Sequence, residues 1–199
     1  MPPAATRTSS RGAADLYQRL VENLAVEHRA KDALRQLLAA GPLATSAVRR
    51  GLWHGDPAVR VGCCVVLDHH LDEAALPALI ANLTHVDHRV RGWALHALAC
   101  DRCKEGTCRP AEDDVLPIAV RMLREDESHR VRRSAAALVG QTAYRRSDAC
   151  RALEHARDHD PDPMVRKIAR WYTPGGPRYR RLLSSPAAKR EHAVAQTDA

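Results

Sequence analysis

DPAVRVGCCVVL, residues 56–67, returns three more times along the chain: as DHRVRGWALHAL at 87–98, SHRVRRSAAALV at 128–139 and DPMVRKIARWY at 162–172. Each copy opens on Asp or Ser and carries a Val-Arg pair three residues later, at Val59-Arg60, Val90-Arg91, Val131-Arg132 and Val165-Arg166. The intervals between these pairs are 31, 41 and 34 residues, a spacing that predicts a solenoid of helix pairs. Asp56, Asp87, Ser128 and Asp162 are suited to accept hydrogen bonds from the orphaned amides of a first helical turn. Pro57 and Pro163 then fall at the first helical position, where no amide is needed.

Upstream of each phrase lies a second amphipathic stretch, at about 42–54, 72–84, 112–124 and 146–159; Leu76, Leu79, Ile80 and Leu83 show its three- and four-residue steps. Each unit therefore reads as helix, turn, helix. Residues 13–40 read as a further, degenerate pair ending at Gly41-Pro42, as a terminal repeat would. The expected fold is all-α, an α-solenoid of about five pairs spanning 13–173, flanked by a flexible segment at 1–12 and a flexible basic tail at 174–199.

Composition agrees. The 45% apolar content is mainly Ala, Leu and Val, with no Phe, which suits helices packed through small side chains. Arginine supplies nearly all of the 31 positive charges, a bias expected of a GC-rich bacterial genome. The net charge of +7 is concentrated in the two end segments, and residues 13–173 are close to balanced, which excludes a uniformly cationic body. No apolar run has signal-peptide or membrane-span length, so the expected setting is cytoplasmic, with no membrane partner. Six cysteines in that setting read as thiols or metal ligands rather than as a disulfide framework.

The phrase D-x-x-V-R-x-x-A-A-x-A-L resembles the second helix of HEAT repeats, over about residues 42–172. The resemblance implies that Asp56, Asp87 and Asp162, with Arg60, Arg91, Arg132 and Arg166, form ladders between repeats. Ser128 departs from the pattern, so its rung requires Asp126 or Glu127 as a substitute. Arrays of this kind serve chiefly as binding scaffolds, which implies a protein partner on the concave face lined by second helices.

The long interval contains CDRCKEGTCRP, an insertion at 100–110 with Cys100, Cys103 and Cys108 in a C-x2-C-x4-C arrangement around Gly106. Thiolates at such spacing can converge on a structural Zn2+ that staples the loop. A fourth ligand is then needed. His96 lies one helical turn before Cys100, and His69, next to His70, occupies the position of Cys100 in the preceding repeat. Free thiols and a redox-active Cys100/Cys103 pair are the other readings. Cys63 and Cys64 fill small-residue core positions.

Two functional classes remain beside each other. Arg89, Arg130, Arg133 and Lys167, with Trp93 and Trp171, mark a possible groove along the second helices. Together with the basic tail they would suit nucleic-acid phosphates, as in the helical-repeat DNA glycosylases that this pattern distantly resembles. A catalytic constellation is not found: there is no Walker loop, no Gly-rich dinucleotide turn and no His-Glu-x-x-His. The His-Glu pairs of the iron-dependent hydroxylases that share this architecture appear only reversed, at Glu27-His28, Glu154-His155 and Glu191-His192. A non-catalytic scaffold is the favoured reading.

Overall fold

The computed structural model describes residues 5–70, 72–99 and 112–185. The chain falls into two compact units, Met1–Pro110 and Ala111–Ala199. Every regular element among the described residues is helical.

The first unit contains α1 (Ala5–Asn23), α2 (Glu27–Ala40), α3 (Thr45–Gly51), α4 (Pro57–His69), α5 (Leu76–Asn82) and α6 (His88–Ala99). Helix α1 begins at Ala5, within the segment assigned above to the N-terminal arm. Both α3 and α5 are only seven residues long, and each is entered through a tight 3-10 turn, Gly41–Ala44 and Glu73–Ala75. Helix α4 packs on α6, while α3 pairs with α4 and α5 with α6. Val48, Leu52, Val59, Leu67, Leu79, Leu83, Val90 and Leu95 are fully or almost fully removed from solvent.

The second unit contains α7 (Glu112–Glu125), α8 (His129–Gly140), α9 (Ser147–His159), α10 (Pro163–Tyr172) and α11 (Pro177–Leu183). Here α7 pairs with α8 and α9 with α10, while α8 and α10 lie against each other. Helix α11 follows the last pair and packs on α10, so the tail assigned from residue 174 opens with a helix. Val131, Ala135, Ala136, Val139, Leu153, Val165 and Ala169 form this unit's centre. The valine of each Val-Arg pair is fully buried, and such a side chain contributes roughly 2 kcal/mol.

The arginine next to it closes the turn between paired helices. Arg60 donates to the carbonyl oxygen of His54, Arg91 to His85, Arg132 to Asp126 and Arg166 to Asp160, always six residues back, at 2.6–2.9 Å. The residue that supplies this carbonyl also accepts, through its side chain, from the amide of the helix-capping residue. His54 Nδ1 takes the Asp56 amide, His85 Nδ1 the Asp87 amide, Asp126 Oδ1 the Ser128 amide and Asp160 Oδ1 the Asp162 amide, at 2.8–3.0 Å. Asp56, Asp87 and Asp162 each cap their own helix, accepting from amides two or three residues ahead. Ser128 holds the cap position with no side-chain cap bond. Asp126 secures that turn by gripping the Ser128 amide.

Two of the same arginines also link to the following repeat, through acceptors other than the capping aspartates. Arg60 Nη1 donates to Oδ1 of Asn82 at 2.9 Å, and the fully buried Asn82 amide in turn donates to the Leu52 and Ala78 carbonyls. Arg132 grips both carboxylate oxygens of Asp160, Nε to Oδ2 at 2.8 Å and Nη2 to Oδ1 at 3.1 Å. The partners of these rungs are therefore Asn82 and Asp160, and the capping aspartates serve their own helices.

Candidate binding surface

Once Val, Arg and the small residues have been committed to core and turn, the second helices show solvent their remaining face. On α6 this face carries Arg89, Trp93 and His96, all exposed. Arg89 is held back against its own helix start, donating to both oxygens of Asp87. That guanidinium, ahead of the adjoining backbone amide, lowers the Asp87 carboxyl to about 2. Trp93 meets His96 edge to face, with ring centroids 5.4 Å apart. His96 Nε2 lies 3.4 Å from Oδ2 of the buried Asp68 on α4.

In the second unit, Arg130 and Arg133 stand exposed on α8, and Lys167 is exposed on α10 beside the half-buried Trp171. The Lys167 ammonium sits 5.7 Å from the Trp171 ring centroid, within reach of the ring's negative face. Arg133 and Lys167 hold the same register position, each following the arginine of its Val-Arg pair, on helices that pack together. The six residues marked as a groove thus divide into Arg89 and Trp93 in one unit and Arg130, Arg133, Lys167 and Trp171 in the other.

A cleft of about 290 Å3 opens over the Arg132–Asp160 pair, with Glu125, Asp126, His155 and His159 in its walls. His155 and His159 stack face to face with centroids 4.7 Å apart, and the His159 Nδ1 lies 3.1 Å from the His155 carbonyl oxygen. Hydrogen bonding to Asp160 raises the Arg132 pKa further, so the guanidinium in the cleft floor stays charged.

Cys100, Cys103 and Cys108 lie outside the described residues. Of the two histidines suggested as fourth ligand, His69 is exposed at the end of α4, and His96 is exposed with Nε2 toward Asp68. His70 instead turns inward, its Nε2 2.9 Å from the Leu38 carbonyl oxygen. Among the described residues no group of three or more His, Cys, Asp or Glu side chains is placed to hold a metal ion. Cys63 and Cys64 are fully buried; burial pushes Cys64 up to about 12 and Cys63 higher still. Among the described residues no helix is long and apolar enough to cross a membrane.

The structural role of His54 and His85 emerges only in the folded turns, and neither residue is singled out above. Its signal was present: the residue two before each cap is His, His, Asp and Asp, in every copy a side chain able to accept a hydrogen bond.

No protein-family model and no curated protein sequence matches the chain. Among solved structures it is similar to a designed armadillo repeat protein in complex with the peptide (KR)4, with a TM-score of 0.54 and 18% identity over 78% of this chain and 79% of that one. It is also similar to an engineered protein, with a TM-score of 0.50 and 25% identity over 82% of this chain and 72% of that one. The fold is thus all-helical and of the α-solenoid repeat class.

Proposed function

We propose that the chain is a HEAT-type scaffold, acting in the bacterial cytoplasm, whose second helices take up an acidic, extended segment of a protein partner. The observation that carries this reading is the exposed row Arg130, Arg133 and Lys167 with Trp171 on the packed pair α8 and α10. At the corresponding surface positions of these two helices there is no acidic residue; the other occupants are Ser134, Ala137, Met164 and Ile168. The similar designed repeat protein holds a cationic (KR)4 peptide. The cationic face here would repel such a ligand and attract a carboxylate-rich one.

The zinc staple on Cys100, Cys103 and Cys108, with His96 or His69, is part of the same proposal. The donor set suits it. His96 Nε2 lies toward Asp68; a carboxylate behind a ligating histidine would orient its ring and leave Nδ1 for the metal. Bound Zn2+ would supply a structural cross-link.

A glutamate-rich peptide carrying a fluorophore provides the test of the binding face. The full chain is expected to raise its anisotropy at low salt, and Arg130→Glu/Arg133→Glu/Lys167→Glu is expected to weaken binding at least about tenfold. Absence of binding to the unsubstituted chain, or equal binding by the triple variant, would refute the assignment.

A further inference from the structure

A second charged cleft lies at the other end of the α8–α10 region, where the α8–α9 turn meets α11. Its volume is about 360 Å3, and its walls include Tyr144, Arg145, Arg146, Ser147, Arg151 and Tyr179. Helix α11 reaches this place because Gly175, with φ of 83°, and Gly176 reverse the chain just after α10. Gly176 presses so closely on the Arg170 and Trp171 carbonyls that no side chain would fit there.

The arginines of the cleft differ in how they are used. Arg146 is anchored by Asp113 at 3.1 Å and by both oxygens of Asp148 at 3.0–3.2 Å, which fixes the wall. The Arg145 guanidinium lies 5.7 Å from the Tyr144 ring centroid. Arg151, and Arg178, Arg180 and Arg181 on α11, are exposed, and among the described residues their guanidinium groups make no hydrogen bond or ion pair. Between residues 174 and 185 there is no acid at all. Among the described residues, Arg151 in the cleft wall and Arg178, Arg180 and Arg181 on the helix that supplies Tyr179 are thus uncommitted, beside a cavity whose walls include Tyr144 and the half-buried Tyr179.

We infer that this cleft binds single-stranded nucleic acid, with the arginines on successive phosphates and Tyr179 as the stacking platform for a base. Guanidinium forks match phosphate oxygens in pairs, and α11 sets Arg178 and Arg181 on one face three residues apart. A carboxylate peptide would use the same charges and leave the aromatic walls without a role; unpaired bases use both. Duplex bases are already stacked on each other and cannot enter. The site is separate from the α8–α10 face proposed above, and it shares no residue with it.

The experiment uses the full chain and a labelled oligothymidylate, read by anisotropy from about 50 to about 200 mM salt. Binding is expected with a log–log salt slope of about −2, the value for three neutralised phosphates on a single strand. Arg151→Gln/Arg178→Gln/Arg181→Gln should weaken binding by at least about tenfold and flatten that slope. Tyr179→Leu should weaken it about fivefold with the slope unchanged, because stacking carries no counterions. Arg133→Gln/Lys167→Gln should leave oligonucleotide binding intact, and the cleft variants should leave binding of the glutamate-rich peptide intact. All substituted arginines are exposed, and an unchanged helical circular dichroism signal confirms that each variant is folded. The proposal is overturned by no binding at about 50 mM salt, by binding that the cleft variants do not weaken, or by the peptide competing equally at this cleft.

Discussion

At the residue scale, the most consequential group is Arg132. It donates to the Asp126 and Glu127 carbonyls behind it and to both oxygens of Asp160 in the following repeat. Both side chains of the ion pair are about nine-tenths buried, unlike exposed pairs such as Arg157–Asp158, which contribute little. Removing one partner of a buried pair leaves an uncompensated charge. Arg132→Ala is therefore expected to cost about 3 kcal/mol, read from the urea midpoint, against a negligible change for the exposed Arg133→Ala. Arg132→Lys should recover less than half of the loss, since one ammonium cannot span two carbonyls and a bidentate carboxylate. Equal midpoints for Arg132→Ala and Arg133→Ala would show that the clamp stabilises nothing.

At the element scale, close packing reverses what helix propensity alone would say. Gly140 ends α8, and replacing a helical glycine with alanine ordinarily stabilises by up to about 1 kcal/mol. Here the added methyl would fall inside the ring of Tyr172, the last residue of α10, near the root of that side chain where it cannot swing away. Gly140→Ala is expected to destabilise by about 2 kcal/mol in thermal or urea unfolding, while Gly55→Ala, with nothing within 4 Å, should be near neutral. A stabilised Gly140→Ala variant would mean that α8 and α10 are not in this register. The same contrast explains how far the amino-acid sequence could be read. Caps, Val-Arg pairs and small-residue positions are local and periodic, so α4, α6, α8 and α10 begin within a residue of where the phrases place them. Arg132 and its partner Asp160 are separated by 28 positions in the chain, and the partner lies in a turn outside the repeated phrase. The Tyr179 cleft was hidden for a related reason: it exists only because α11 folds back beside the α8–α9 turn, after the periodic pattern has ended.

At the scale of the whole molecule, the six cysteines divide by environment, and that division makes the zinc proposal decidable. Cys63 and Cys64 are sealed in the first unit's core, and burial keeps them protonated far above neutral pH. Since the thiolate is the reactive form, both should resist a thiol reagent until the fold is lost. Cys150 is half-buried, and burial, followed by the charge of Glu154, raises its pKa as well, so it should react slowly. Cys100, Cys103 and Cys108 are the remaining three. As zinc thiolates they would be masked in the native protein, and a chelator would release about one metal per chain together with three fast-reacting thiols; only denaturant would then expose Cys63 and Cys64. Acidification should release the metal too, because protons compete for the thiolates and for the His96 imidazole. Protein purified without added zinc, assayed for metal and titrated for thiols before and after chelation, separates the alternatives. Three thiols that react at once without chelation, with at most a few tenths of a metal per chain, would rule out the staple and leave the insertion as a loop of free thiols.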